Sequence, residues 1–167
     1  MGLARELGHH GELRNMVIRD KDGNILACSS PPDTRNFDRM IIRNACLASA
    51  ELEGISFDGS DLQGSNFSHA DLYGANLADA NFDSCCLVHA DLGFTFMHNV
   101  SFRNADLRHA RFSLNELGGG LSLYQVDFTD ANLDAADFTG AEYDDLTIFP
   151  ARFDPHQCGL RPIIRSN

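Results

Sequence analysis

The sequence predicts an all-β fold, a quadrilateral parallel β-helix of about six coils with a short β-hairpin cap before it. Three observations carry that prediction. Over residues 37–153 an apolar residue returns every five positions, from Phe37, Ile42, Leu47 and Leu52 through Leu117, and after one extra residue from Leu123 to Phe153. A second series lies two residues earlier and is mostly small, as at Ala45, Ala50, Ala70, Ala75, Ala80, Ala90, Ala105 and Ala110. The position between the two is often Asp or Asn, as at Asp61, Asn66, Asp71, Asn76, Asn81, Asp91 and Asp106.

Neither common element tolerates this period. Five residues of α-helix turn about 500°, so an apolar stripe drifts by about 140° per repeat and winds away from any core. On a straight strand an odd period sends successive apolar residues to opposite faces. The pattern buries its apolar set only if the chain turns a corner in every repeat. Four corners close a coil of about 20 residues, and stacked coils pair as parallel ladders about 4.8 Å apart. The central residues then fill the column: Leu62, Phe67, Leu72, Leu77, Phe82, Leu87, Leu92, Phe102, Leu107, Phe112, Phe128, Leu133 and Phe138.

The recurring small residue, Asp or Asn, then Leu or Phe, with two variable residues after them, resembles the pentapeptide-repeat family. The resemblance covers residues 37–153. It implies the family's fold, a right-handed quadrilateral β-helix. It also implies an alternative function, because some family members mimic DNA, bind DNA gyrase and protect it from quinolones.

Taken in order, residues 1–15 are polar and are expected to be a flexible segment. Residues 16–34 hold Val17-Ile18-Arg19, Asp22-Gly23-Asn24 and Ile25-Leu26-Ala27, the pattern of a small hairpin, then a Pro-containing linker. Its expected role is to cover the first coil, since a stack of coils exposes an unpaired edge at each end. Residues 35–154 form the β-helix. The run Gly118-Gly119-Gly120, with its one extra residue, is read as a bulged corner and not a projecting loop. Residues 155–167 are expected to fold back over the far end as a C-terminal cap.

The chain carries 24 acidic and 13 basic residues, a net charge of −11. Such a surface argues against nucleic acid or an anionic membrane as a direct partner and favours a basic protein surface. No apolar run reaches membrane-spanning length, and the first residues lack the apolar core of a secretory signal. Five Cys without a spacing pattern read as reduced thiols, so a cytoplasmic location is expected.

No Gly-rich phosphate loop with its Lys, no nucleophile elbow and no paired Cys motif is present. The expectation is a protein that is not an enzyme and needs no cofactor. It would be a scaffold or protein–protein interaction module, monomer or dimer, with an unidentified protein partner. DNA gyrase is the alternative partner that the resemblance implies.

Four repeats per coil define surface columns. Phe94 and Leu114 share one column, with Phe96 pointing outward nearby, and make a candidate contact surface. Asp127, Asp130, Asp134, Asp137, Glu142, Asp144 and Asp145 make the last coils a candidate acidic docking face. Arg103, Arg108 and Arg111 form a basic band before them. His69, His89 and His109 fall in one column, followed by Asp130 if the break adds one residue. Imidazoles suit Zn²⁺, Ni²⁺ or Cu²⁺, but a straight column spreads ligands out, so no metal site is assigned.

Overall fold

The ladder that holds the chain together repeats almost without variation. Each central residue donates its N–H to a carbonyl of the next coil, as Leu62 does to Asn81 (2.8 Å), Phe67 to Cys86 (2.7 Å) and Leu87 to Asp106 (2.7 Å). Each residue before it donates backwards, as Asn66 does to Ala45 (2.9 Å). Parallel bridges therefore join Asn36 to Ser56, Ser56 to Asn76, and Asn76 to Phe96, with a matching set on the other faces. The computed structural model describes residues 3–5, 16–28, 35–113 and 121–163. Among the described residues no helix is present, and so none is long and apolar enough to cross a membrane.

The corners follow from residue type. The amide of Ala70 bonds back to the Phe67 carbonyl and that of Ala90 to Leu87, both at 2.9 Å. The Asp or Asn between the small and central residues turns its side chain onto the amide two residues ahead. Asp71 accepts from Tyr73 (3.0 Å), Asp91 from Gly93 (2.9 Å) and Asp127 from Thr129 (2.8 Å). This is the local turn bond that short acidic and amide side chains favour. The residue after that amide takes a left-handed φ near +57°, as at Asn44, Asp79 and Asn104.

Inside, the central residues are packed to exclusion of solvent. Leu62, Phe67, Leu72, Leu77, Phe82, Leu87, Leu92, Phe102, Leu107, Phe112, Phe128 and Phe138 have no exposed surface, and Leu133 has 7%. Aromatic rings run along the column, with centroids 5.2 Å apart for Phe67 and Phe82, 5.3 Å for Phe82 and Phe102, and 5.4 Å for Phe102 and Phe128. Where the small position is polar, it is satisfied internally. Ser65 donates to the Ile42 carbonyl (3.1 Å) and accepts from the Ala45 amide (2.9 Å).

At the N-terminal side, β2 (Met16–Arg19) pairs antiparallel with β3 (Ile25–Cys28). Their turn is held by the Asp20 carboxylate, which accepts from the amides of Asp22 and Asn24 (2.9 Å each). A third strand, β1 (Leu3–Arg5), adds to the outer edge of β2. It lies within the stretch expected to lack structure; pairing with an open strand edge is what orders it. The hairpin meets the solenoid through an antiparallel bridge between Asp20 and Ala45 and a bond from the Cys46 amide to the Arg19 carbonyl (2.9 Å). Ile18 is fully buried.

The break in the repeat differs from its sequence reading. β4 (Met97–His98) pairs with β5 (Ser122–Tyr124), and Met97 faces Leu123 where an ordinary coil would bring it to Leu117. Ser101 to Asp127, Asp106 to Asn132 and Arg111 to Asp137 take the same lengthened step. The added length is six positions, a full repeat plus one, falling between Ser113 and Leu121, and the bulged-corner expectation is corrected on that count. Gly118–Gly120 themselves lie outside the described residues. Leu117 fell in period only because the added length exceeds a repeat by a single position.

Two further corrections concern the last coils. Ile148, expected to point inward, is 51% exposed. Its neighbour Phe149 packs instead against Phe128 (5.8 Å) and Phe153 (5.2 Å). The cause is register: Asp127 pairs with Ile148, one position beyond an ordinary coil step. The described part of the C-terminal segment, through residue 163, extends the stack itself. β7 (Arg161–Pro162) continues the ladder in parallel with β6 (Glu142–Tyr143), and Leu160 is buried beneath it. The solenoid thus runs past residue 154.

Candidate functional site

The candidate surface grows from one loosened repeat. Thr95 and Met97 turn inward and are buried, Thr95 bonding its hydroxyl to the Leu92 carbonyl (2.8 Å). Alternation along the short strand then sends Phe96 and His98 outward. Phe94 sits at the preceding corner with φ +58° and stacks on Tyr73 (centroids 6.0 Å, 17° between planes). The pairing of β4 with β5 sets Tyr124 beside His98. Phe94, Phe96, His98 and Tyr124, with Ala78 and Leu121, line a groove of about 360 Å³. Phe94 is 52% exposed, Phe96 66% and Tyr124 37%.

Sequence reasoning placed Phe94 and Phe96 here but missed Tyr124. Under a reset of one position Tyr124 belongs beside Arg103; the lengthened step moves it next to His98. Leu114, the third residue of the predicted patch, lies outside the described residues.

The acidic face is thinner than its sequence suggests. Asp130, Asp134, Asp137 and Asp145 are exposed. Asp127 is half-buried and lies 3.8 Å from Arg103, and Glu142 is 3.3 Å from Arg161. Asp144 corrects the prediction outright. It is 3% exposed, accepting from the Gln125 amide (3.0 Å) and the Thr147 hydroxyl (2.9 Å). It serves a turn and cannot serve a docking face. Burial pushes the Asp137 carboxyl up, but bonds from Thr139 outweigh it and hold the group below its ordinary range.

The arginines expected as a basic band are likewise engaged. Arg108 grips Asp106 (2.8 Å), and Arg111 pairs with Asp91 one coil before it. The guanidinium of Arg108 holds the Asp106 carboxyl below the usual carboxylate range, as Arg43 does for Asp61.

His69, His89 and His109 form the predicted column. Their rings stack with centroids 4.9 and 4.7 Å apart and planes 18° and 9° from parallel. The next member is Ala135, not Asp130, because His109 donates its amide to the Asp134 carbonyl across the lengthened step. Asp130 stacks instead above Asn104, whose amide reaches Thr129. Among the described residues no group of three or more His, Cys, Asp or Glu converges as a metal cage. The Cys85 thiol is buried, which pushes its pKa up to about 12 and removes it as a nucleophile at neutral pH.

With the coil geometry in hand, the family comparison is direct. The model of the pentapeptide repeats matches in eight copies, at residues 50–87, 85–113 and 120–142, more than half the chain. The chain belongs to the pentapeptide repeat family. The matched blocks separate where the ladder takes its lengthened step. No curated protein matches the sequence significantly.

Among solved structures it is similar to HetL, a pentapeptide repeat protein involved in heterocyst differentiation regulation from the cyanobacterium Nostoc sp. strain PCC 7120. That match has 26% identity and a TM-score of 0.59, covering 65% of this chain and 45% of HetL. It is similar to Rfr23 from the cyanobacterium Cyanothece 51142 at 26% identity and a TM-score of 0.36, over 68% of this chain and 63% of that one. QnrB1, a plasmid-mediated fluoroquinolone resistance protein, matches at 19% identity and a TM-score of 0.46, over 77% and 64%. This pentapeptide repeat protein therefore spans about half the length of HetL and under two thirds of the other two.

Proposed function

We propose that this pentapeptide repeat protein is a non-enzymatic interaction module whose rigid wall presents the Phe94, Phe96 and Tyr124 groove to a protein partner. The exposure of three neighbouring aromatic side chains around one groove carries this reading. Their backbone is held by the ladder, so a partner meets a preformed surface and little ordering cost is added on binding. The hairpin is proposed to cap the first coil, shielding its open edge.

The competing reading is an acidic, DNA-mimicking binder of DNA gyrase. It rests on Asp130, Asp134, Asp137 and Asp145, which remain exposed. The two readings separate by salt and by variant. Affinity capture from cell extract at low and high salt is expected to retain the partner at high salt and lose it with Phe94→Ser. A salt-sensitive effect on gyrase supercoiling, lost when the four aspartates are changed to asparagine, would replace the groove reading with the mimic. If both variants hold the parent's partner unchanged, neither surface is the contact.

A further inference from the structure

The solenoid brings three imidazoles, distant in sequence, onto one rigid line. His69, His89 and His109 each occupy a corner with φ of +58° to +59°. Their backbone amides are fixed in the ladder, bonded to the carbonyls of Val88 (2.9 Å), Arg108 (3.0 Å) and Asp134 (3.0 Å). Their side chains are exposed. The result is a fixed base with rings free to lean.

We propose that this column is a surface chelate for a late first-row divalent cation, Ni²⁺, Cu²⁺ or Zn²⁺, held by imidazole nitrogens from two adjacent coils. Imidazole is the ligand these ions favour. Parallel rings at 4.7 to 4.9 Å do not point at one spot as they stand. With metal–nitrogen bonds of about 2.0–2.1 Å, two cis nitrogens sit about 3 Å apart, so each ring edge must lean inward by about 1 Å. Exposed side chains make that motion at little cost. Water fills the remaining positions, which suits the tetragonal preference of Cu²⁺. The net charge of −11 attracts the cation. The guanidinium of Arg108, the residue before His109, is turned onto Asp106 (Nε to Oδ1 2.9 Å).

The arrangement dictates an asymmetry among the three residues. His89 belongs to both adjacent pairs. Removing His69 or His109 leaves one pair intact; removing His89 leaves two imidazoles at twice the spacing, too far apart to share an ion.

The test is calorimetric titration with CuCl₂, and electron paramagnetic resonance of the bound ion, on the full chain. Both use a His9→Ala/His10→Ala background, which removes the other imidazole pair in the sequence from the titration. Glycine is the replacement of choice, since it accepts a left-handed φ without strain. The expected result is one Cu²⁺ with a two-nitrogen signal. His69→Gly and His109→Gly should stay within about threefold of the background protein, while His89→Gly should weaken binding about tenfold or more through loss of the intramolecular second ligand. Circular dichroism checks that each variant is folded. Equal weakening by all three variants, unchanged binding by His89→Gly, or no binding by the background protein at millimolar Cu²⁺ would each overturn the proposal.

Discussion

The rings of Phe112 and Phe138 stack 4.4 Å apart and 13° from parallel, although they flank the break in the repeat. Their contact closes the core across that break. Phe112 donates its amide to the Asp137 carbonyl (2.8 Å), the same ladder bond that Leu87 makes to Asp106 within the regular coils. The ring stack and the ladder thus both close across the break between residues 113 and 121.

That relationship predicts a tolerated deletion. Removing residues 114–119 joins Ser113 to Gly120 and restores the ordinary coil step, placing Gly120 in the corner column of Gly54 and Gly74, both left-handed. The shortened protein should fold, with stability within about 1 kcal/mol of the parent or above it, because loop closure costs grow slowly with length. Urea denaturation measures this. If only one residue were extra, the same deletion would remove a whole side of a coil and the protein would not fold.

Gly93 is needed for space. A Cβ built there would meet the Ser113 carbonyl oxygen at 2.9 Å and the Asp91 carboxylate at 3.1 Å. The first neighbour is backbone of the next coil and cannot swing away. Gly93→Ala should destabilise the fold by roughly 1–3 kcal/mol, the usual range for overpacking a tight site. Gly74→Ala is a useful contrast: nothing lies within 4 Å of its Cβ, so only the left-handed backbone resists it. A Gly93→Ala midpoint unchanged in urea would show that the coils can separate there without cost.

Much of this was readable from spacing. The inward set, Phe67, Phe82 and Phe102 among them, follows from the five-position period, and the His69, His89, His109 column from four repeats per coil. What escaped had local causes. Leu117 kept the period by coincidence, hiding the true step and with it the place of Tyr124. At the C-terminal end the period falls on Ile148, and only the one-position shift at the Asp127–Ile148 bridge brings its equally apolar neighbour Phe149 against the core instead. In Glu142, Asp144 and Asp145 nothing in the residue types marks Asp144 as the one drawn inward; only its bonds to Gln125 and Thr147 do.

Asp144 also predicts a pH dependence whose sign is fixed. Burial would raise its pKa, but bonds from the Gln125 amide and the Thr147 hydroxyl outweigh that and hold it below the ordinary 3.8. A carboxyl depressed in the folded state contributes stability at pH above its unfolded value and loses it as pH falls through the folded value. Asp144→Ala should thus cost roughly 1–3 kcal/mol at pH 7, where turn donors lose a charged acceptor. The gap to the parent should close as pH drops from about 4 toward about 2, while Asp61, Asp106 and Asp137, also depressed, keep a shared slope in both proteins. Melting temperatures measured across that range test it. A gap that stays constant with pH would mean that shape, and not the charge on Asp144, holds the turn.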